Sequence, residues 1–180
     1  MQSGNEDLCY GCLFCKTGAE ESLAEKLMQK APEVRAIAPK KRRVRRSRGR
    51  AEDEYVLLFP GYLFYCADTD FDPYFFVRDD NVYRLLLTDK NDWRLMGRDR
   101  ELVEGFFKTG GIIDLSRAYY EGNRIRIAEG FLKDYEGQII RVNRRNRTAQ
   151  IRLDISGSAS TLWLGFELIC EEGAQPQPEK

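Results

Sequence analysis

The chain has 180 residues, with 29 lysines and arginines against 29 aspartates and glutamates, and no histidine. That length can bury one medium core or two small ones, and the balanced charge leaves no overall field to draw the protein to nucleic acid, so any such binding must come from local clustering. Without histidine the commonest general base, the usual activator of a serine or cysteine nucleophile and the commonest metal ligand are missing, which excludes most hydrolase constellations.

Residues 1–8 are polar and acidic with no apolar leader core, and are expected to be disordered. No later run approaches the roughly 20 apolar residues of a membrane span. A cytoplasmic protein with no membrane partner is expected. Cys9, Cys12 and Cys15 have a spacing that could suggest a thiolate metal site, but a fourth ligand would have to come from distant Cys66 or Cys170. Read instead as a strand, this segment sends Cys9 and Cys15 to one face and Cys12 to the other, and residues 10–16 are largely apolar. Buried free thiols fit a reducing compartment, and neither metal nor cofactor is expected.

Thr17-Gly18-Ala19-Glu20 has the T-x-x-E spacing of a capping box. It opens a helix whose Leu23, Ala24, Leu27 and Met28 form an apolar stripe, with Glu21, Glu25, Lys26 and Lys30 on the wet side and Pro32 at the end. A short strand is predicted over 34–38. Residues 40–50 contain no acid and are too charged to pack in a core, so they form a solvated loop or hairpin, either a tether between strands or an interaction arm.

Residues 55–59 and 62–67 read as one strand bent at Pro60-Gly61. Asp72 as N-cap and Pro73 at the first helical position open a second helix running to about residue 78, and 82–88 is a fourth strand. A third helix is predicted over 99–108, with Leu102, Val103, Phe106 and Phe107 on one face and Gly110-Gly111 beyond its end. An enzyme reading could begin with an acid pair such as Asp79-Asp80, but adjacent carboxylates in a turn are ordinarily solvated and no base–nucleophile set accompanies them. The protein is therefore read as a non-enzyme.

After a linker over 114–122 the helical periodicity disappears. Ile125 and Ile127 alternate with arginines, and strands are predicted over 138–142, 148–155 and 161–164, with Ala149, Ile151, Leu153 and Ile155 alternating with Gln150, Arg152 and Asp154. A small barrel, wet outside and apolar inside, satisfies that pattern. Residues 172–180 form a polar, proline-containing tail expected to be disordered.

Residues 124–142, with Gly130 and Gly137 at their spacing and Phe131 where a proline is usual, resemble a KOW motif. Ile155-Ser156-Gly157, then Leu164-x-Phe166 and Ile169, resemble the run that closes the NusG barrel. Phe59-Pro60-Gly61-Tyr62 resembles that family's F-P-G-Y signature, and Tyr10 through Cys15-Lys16-Thr17-Gly18 resembles its opening. Collinear over nearly the whole chain, these motifs identify a resemblance to the NusG/RfaH family. The resemblance implies an α+β fold: an NGN domain over 1–113, an antiparallel sheet with flanking helices carrying the basic loop at 40–50, and, past the linker, a small SH3-like β-barrel KOW domain over 123–171.

By resemblance the NGN domain docks on the coiled-coil clamp of the largest subunit of bacterial RNA polymerase, and Phe59, Pro60, Gly61 and Tyr62 are the candidate contacts. Such docking would hold polymerase closed and suppress pausing. Ser156 stands where the general factor has phenylalanine, which argues against Rho and ribosomal protein S10 as partners. Together with Tyr10-Gly11 in place of a Trp-Tyr pair and an RfaH-like Cys15-Lys16-x-Gly18, this points to a specialised paralog resembling the LoaP group of antiterminators.

The arginines of the 143–147 turn are either a solvated rim or a surface for phosphates and unpaired bases. With the resemblance, the second alternative makes Arg144, Arg145 and Arg147, flanked by Arg141 and Arg152 and joined by Lys133, candidates for binding a hairpin of nascent leader RNA. Lys16, Lys41, Arg42, Arg43, Arg45 and Arg46 are candidates for a further DNA or RNA contact, non-template DNA included. A monomer acting in antitermination is expected; a general NusG-type elongation factor and a ribosome-associated KOW protein are the alternatives.

Overall fold

The computed structural model describes residues 8–47, 49–88, 91–155 and 158–169. In chain order they form β1 (Leu8–Cys15), α1 (Glu20–Lys30), β2 (Arg35–Ile37), β3 (Lys40–Ser47), β4 (Arg50–Leu57), β5 (Tyr62–Asp68), a 3-10 turn at Pro73–Arg78, β6 (Val82–Leu85), α2 (Gly97–Lys108), β7 (Ile112–Ile113), β8 (Ser116–Glu121), β9 (Arg124–Glu129), 3-10 turns at Phe131–Lys133 and Glu136–Gln138, β10 (Ile139–Asn143), β11 (Thr148–Ile155) and β12 (Ser158–Leu168). The fold is α+β and divides into two compact units, the first built mainly from residues 8–40 and 57–112 and the second mainly from 41–56, 113–153 and 159–169. No helix among the described residues is long and apolar enough to cross a membrane.

The first unit is an antiparallel sheet in the order β2-β5-β1-β6. Strand alternation gives it two apolar faces. Leu13, Cys15, Leu63 and Tyr65 pack with Leu23 and Leu27 of α1 and with Phe76. On the other face Phe64 meets Phe106 of α2 at a ring-centroid distance of 5.5 Å. Each helix therefore buries its stripe against one side of the sheet. Leu8, expected in a disordered start, is the first residue of β1. Cys12 and Cys15 are buried as expected of strand thiols. Burial and the nearby Glu20 carboxylate push the Cys15 thiol up to about 11, so a thiolate is disfavoured there.

Three local readings are corrected. The capping box does not form: α1 begins at Glu20, with Ala19 at the N-cap position and no side-chain cap. The Glu20 carboxylate is drawn instead to backbone N–H groups of two different loops. The expected bent strand over 55–67 is two strands in different sheets, β4 and β5, separated by a tight turn. The second predicted helix forms as a 3-10 turn, with Asp72 accepting the Tyr74 N–H and Pro73 at its start.

The second unit carries a five-stranded sheet in the order β10-β11-β12-β8-β9. In β11 Ala149, Ile151 and Leu153 are buried and Arg152 is exposed, as the alternation predicts. Of the loop and hairpin readings of the basic stretch, the structure gives the hairpin: it is β3, which pairs with β4 in a three-stranded sheet ordered β4-β3-β7. Residues 114–122 are not a linker, because β8 pairs antiparallel with β9 and parallel with β12. Its buried residues include Ser116 and Ala118, too small to give the apolar signal by which a strand is recognised.

Candidate functional site

Pro60 and Gly61 sit at the second and third positions of a turn closed by the Tyr62 N–H donating to the Phe59 carbonyl at 3.1 Å. Gly61 has φ +85°, the left-handed conformation that the third position of a type II turn demands. The turn sends its two aromatic residues to different places. Phe59 is only 8% exposed and packs on Phe64 and Phe106 at 5.7 and 5.8 Å. It is core, not the exposed anchor that the resemblance implied. Pro60 is exposed, Gly61 is buried, and Tyr62 is half-buried at the start of β5.

Tyr62 lies directly opposite Phe14 in the β1–β5 pairing, with ring centroids 5.4 Å apart. Phe14 in turn meets Tyr83, 5.5 Å away and 58% exposed. Arg84, opposite Phe14 on β6, places its guanidinium 5.6 Å from the same ring. The result is an aromatic row across β5, β1 and β6 with a cation at its side. Such a surface can bury the apolar side of a helix while pairing one of its carboxylates. Sequence reading found Tyr62 and missed Phe14, Tyr83 and Arg84. Strand alternation could have flagged Phe14; Tyr83 had no signal, because a register shift between Phe14 and Cys15 sets its position.

Three loops converge beside this row. The Cys15 N–H donates to the Gly61 carbonyl and the Lys16 N–H to the Asn81 carbonyl, both at 2.8 Å. The Glu20 carboxylate accepts from the Gly61 N–H and the Gly18 N–H, both at 2.7 Å. Lys16 is exposed at this junction. The acid pair nearby separates by role. Asp79 is buried, and its hydrogen bond from Lys26, with help from the Asn81 N–H and Lys30, holds it below the usual carboxylate range. Asp80 is exposed.

In the second unit, Arg144, Arg145 and Arg147 are exposed on the turn between β10 and β11. Asn143 shapes that turn by accepting the Asn146 N–H, and Arg147 adopts a positive φ of 50°. The Arg144 guanidinium lies over the Tyr120 ring at 4.6 Å and donates to the Asn123 carbonyl. Burial raises the Tyr120 phenol pKa against the opposing charges of Arg144 and Arg147, which flank it. Arg141 pairs in register with Gln150, so it shares the outer face of the hairpin with Arg152. Lys133 stands on a separate turn, its ammonium donating to the Ile127 carbonyl.

The basic strand is less available than its composition suggests. Lys41 is half-buried and donates to the Trp163 carbonyl at 2.7 Å, and burial, then Arg43, lower its pKa. Arg42 is paired with Asp53 and Asp114, and Arg43 with Glu54. Arg45 is exposed and has no ion pair among the described residues. The Arg46 side chain lies outside the described residues, as do Ser156, Cys170, the start over 1–7 and the tail over 172–180.

The first unit is thus an antiparallel sheet with a helix on each face, followed in the chain by a β-rich unit. The NusG family profile, described as transcription termination factor nusG, matches residues 9–104, more than half of the chain. The chain belongs to the NusG family. Membership implies a role in transcription elongation and its termination control, and the family binds RNA polymerase and is not enzymatic. Among solved structures, one described as "Domain interaction in Thermotoga maritima NusG" covers 90% of this chain and 96% of its own, with a TM-score of 0.53 and 19% identity. That likeness is one of fold. No curated protein matches the chain.

Proposed function

We propose that this protein is a specialised antitermination factor. Its first unit docks on the clamp coiled coil of the largest polymerase subunit, and its second, read as a KOW domain, recognises a hairpin in nascent leader RNA. It works in the cytoplasm as a monomer and promotes readthrough of terminators in particular operons. The observation that carries this reading is the Tyr62–Phe14–Tyr83 row with Arg84 beside it. Aromatic side chains held rigid on a sheet lose little entropy on binding and can each contribute about 2 kcal/mol or more to an interface.

The arginine turn supports the RNA contact in a different way. Arg144 is ordered by Tyr120 and Asn123, which presents a planar cation in a fixed place, while Arg145 and Arg147 stand exposed for phosphates. Lys16 and Arg45 are the basic side chains best placed to reach further nucleic acid, non-template DNA included. Lys41, Arg42 and Arg43 hold their own unit together.

The test is direct binding to purified bacterial core polymerase. Tyr62→Ala with Tyr83→Ala should weaken binding by about a hundredfold or more, while affinity for a leader hairpin stays unchanged. Wild-type polymerase affinity in the double variant would refute the docking surface.

A further inference from the structure

We propose that Glu20 is the positioning residue of the polymerase-docking surface, an inference that rests on the docking reading above. Glu20 is 1% exposed. It is a carboxylate buried at the first position of α1 with no lysine or arginine paired to it among the described residues. An ion in such a place needs strong hydrogen-bond donors. Its two are the Gly18 N–H, which follows Thr17 in the turn after β1, and the Gly61 N–H inside the F-P-G-Y turn. One oxygen serves each.

Gly61 is thereby clamped from both sides, its N–H by Glu20 and its carbonyl by the Cys15 N–H. Its neighbours are the docking residues themselves. A Cβ at Gly61 would come within 3.3 Å of the Phe14 ring and of Thr17 Oγ1, and Tyr62 follows it directly in the chain. Any shift of this turn must therefore move Tyr62 relative to Phe14. Glutamine cannot replace the carboxylate, because its amide nitrogen would face one of the two N–H groups as a second donor. Aspartate keeps the charge but is one methylene too short to span both.

Two variants of the full chain, E20Q and the core variant V34A, are compared at a temperature where both are folded. Val34 is buried in the core of the same unit and has no part in the row. E20Q should bind core polymerase about tenfold more weakly than wild type. Its Gly61 amide should exchange hydrogen faster while strand amides of β5 keep their protection, and its RNA affinity should not change. V34A should lower thermal stability with polymerase affinity within about twofold of wild type.

Wild-type polymerase affinity in E20Q, or an equal loss in V34A, would overturn the proposal. Should E20Q fail to fold, E20D carries the same expectations and the same refutation. The double variant Y62A/Y83A separates the two readings. If it abolishes polymerase binding and E20Q does not weaken it, only the role of Glu20 falls. If it binds normally, the docking reading falls as well.

Discussion

Gly130 and Gly137 occupy equivalent-looking places in the KOW-like sequence, yet they do different physical work. Gly130 has φ +95°, and a Cβ there would lie 2.8 Å from Ser116 Cα and 2.9 Å from Ser116 Oγ. That same Oγ accepts the Leu132 N–H, so Ser116 is fixed in place and cannot retreat. Gly137 has nothing within 4 Å of its Cβ position. Gly130→Ala should therefore cost roughly 2 kcal/mol or more, and Gly137→Ala should stay within about 0.5 kcal/mol of wild type, in urea denaturation of the full chain. Equal stabilities would contradict the account. Gly11 is explained by packing: its absent Cβ would sit 2.3 Å from the Tyr65 ring, so a side chain could enter there only if Tyr65 left the core. The sequence shows that a glycine is present at each of these positions. It does not show which neighbour the glycine admits, because that neighbour is distant in the chain.

Elements were legible where periodicity was strong and misread where a single residue set the outcome. The α1 stripe and the β11 alternation fall as expected because each follows one regular rule over many residues. The start of α1 departs because Glu20 finds a better donor in Gly61, 41 residues away, than in the capping box. The β8 strand was hidden by its small buried residues, while the charges of β3, which left loop and hairpin both open, pair with Asp53, Asp114 and Glu54. Within the F-P-G-Y turn, the family resemblance implied a contact but could not say that Phe59 turns inward and Tyr62 outward.

The turn between β10 and β11 makes a prediction at the same scale. If Arg145 and Arg147 meet phosphates and Arg144 acts from its place over Tyr120, each phosphate contact adds about 0.7–0.9 to the salt slope of RNA binding. Replacing Arg145 and Arg147 with alanine should flatten that slope by roughly 1.5. Replacing Arg144 alone should weaken binding with a smaller change in slope. RNA affinity and slope unchanged in the double variant would remove the turn from the RNA site.

For the whole molecule, the proposed function divides the labour between two units although the formal net charge is zero. The aromatic row belongs to the first unit and the arginine turn to the second, and one chain joins them. Under the proposed function, holding a leader hairpin near its polymerase would raise the effective concentration of the tethered unit at its docking site, so that a weak polymerase contact becomes selective for one transcript. The collinear motifs made the α+β class and family resemblance legible in the sequence. The proposed docking surface was only partly legible, since Phe14, Tyr62, Tyr83 and Arg84 come from three strands and meet only when the sheet forms.

The most direct measurement is terminator readthrough by purified bacterial RNA polymerase, with this protein present or absent, on a template carrying the native upstream leader and on one with that leader scrambled. The account predicts readthrough on the native leader only, lost in Tyr62→Ala with Tyr83→Ala. Equal readthrough on both templates would contradict leader-directed action and leave a general elongation factor, and no readthrough on either would contradict the antitermination function itself.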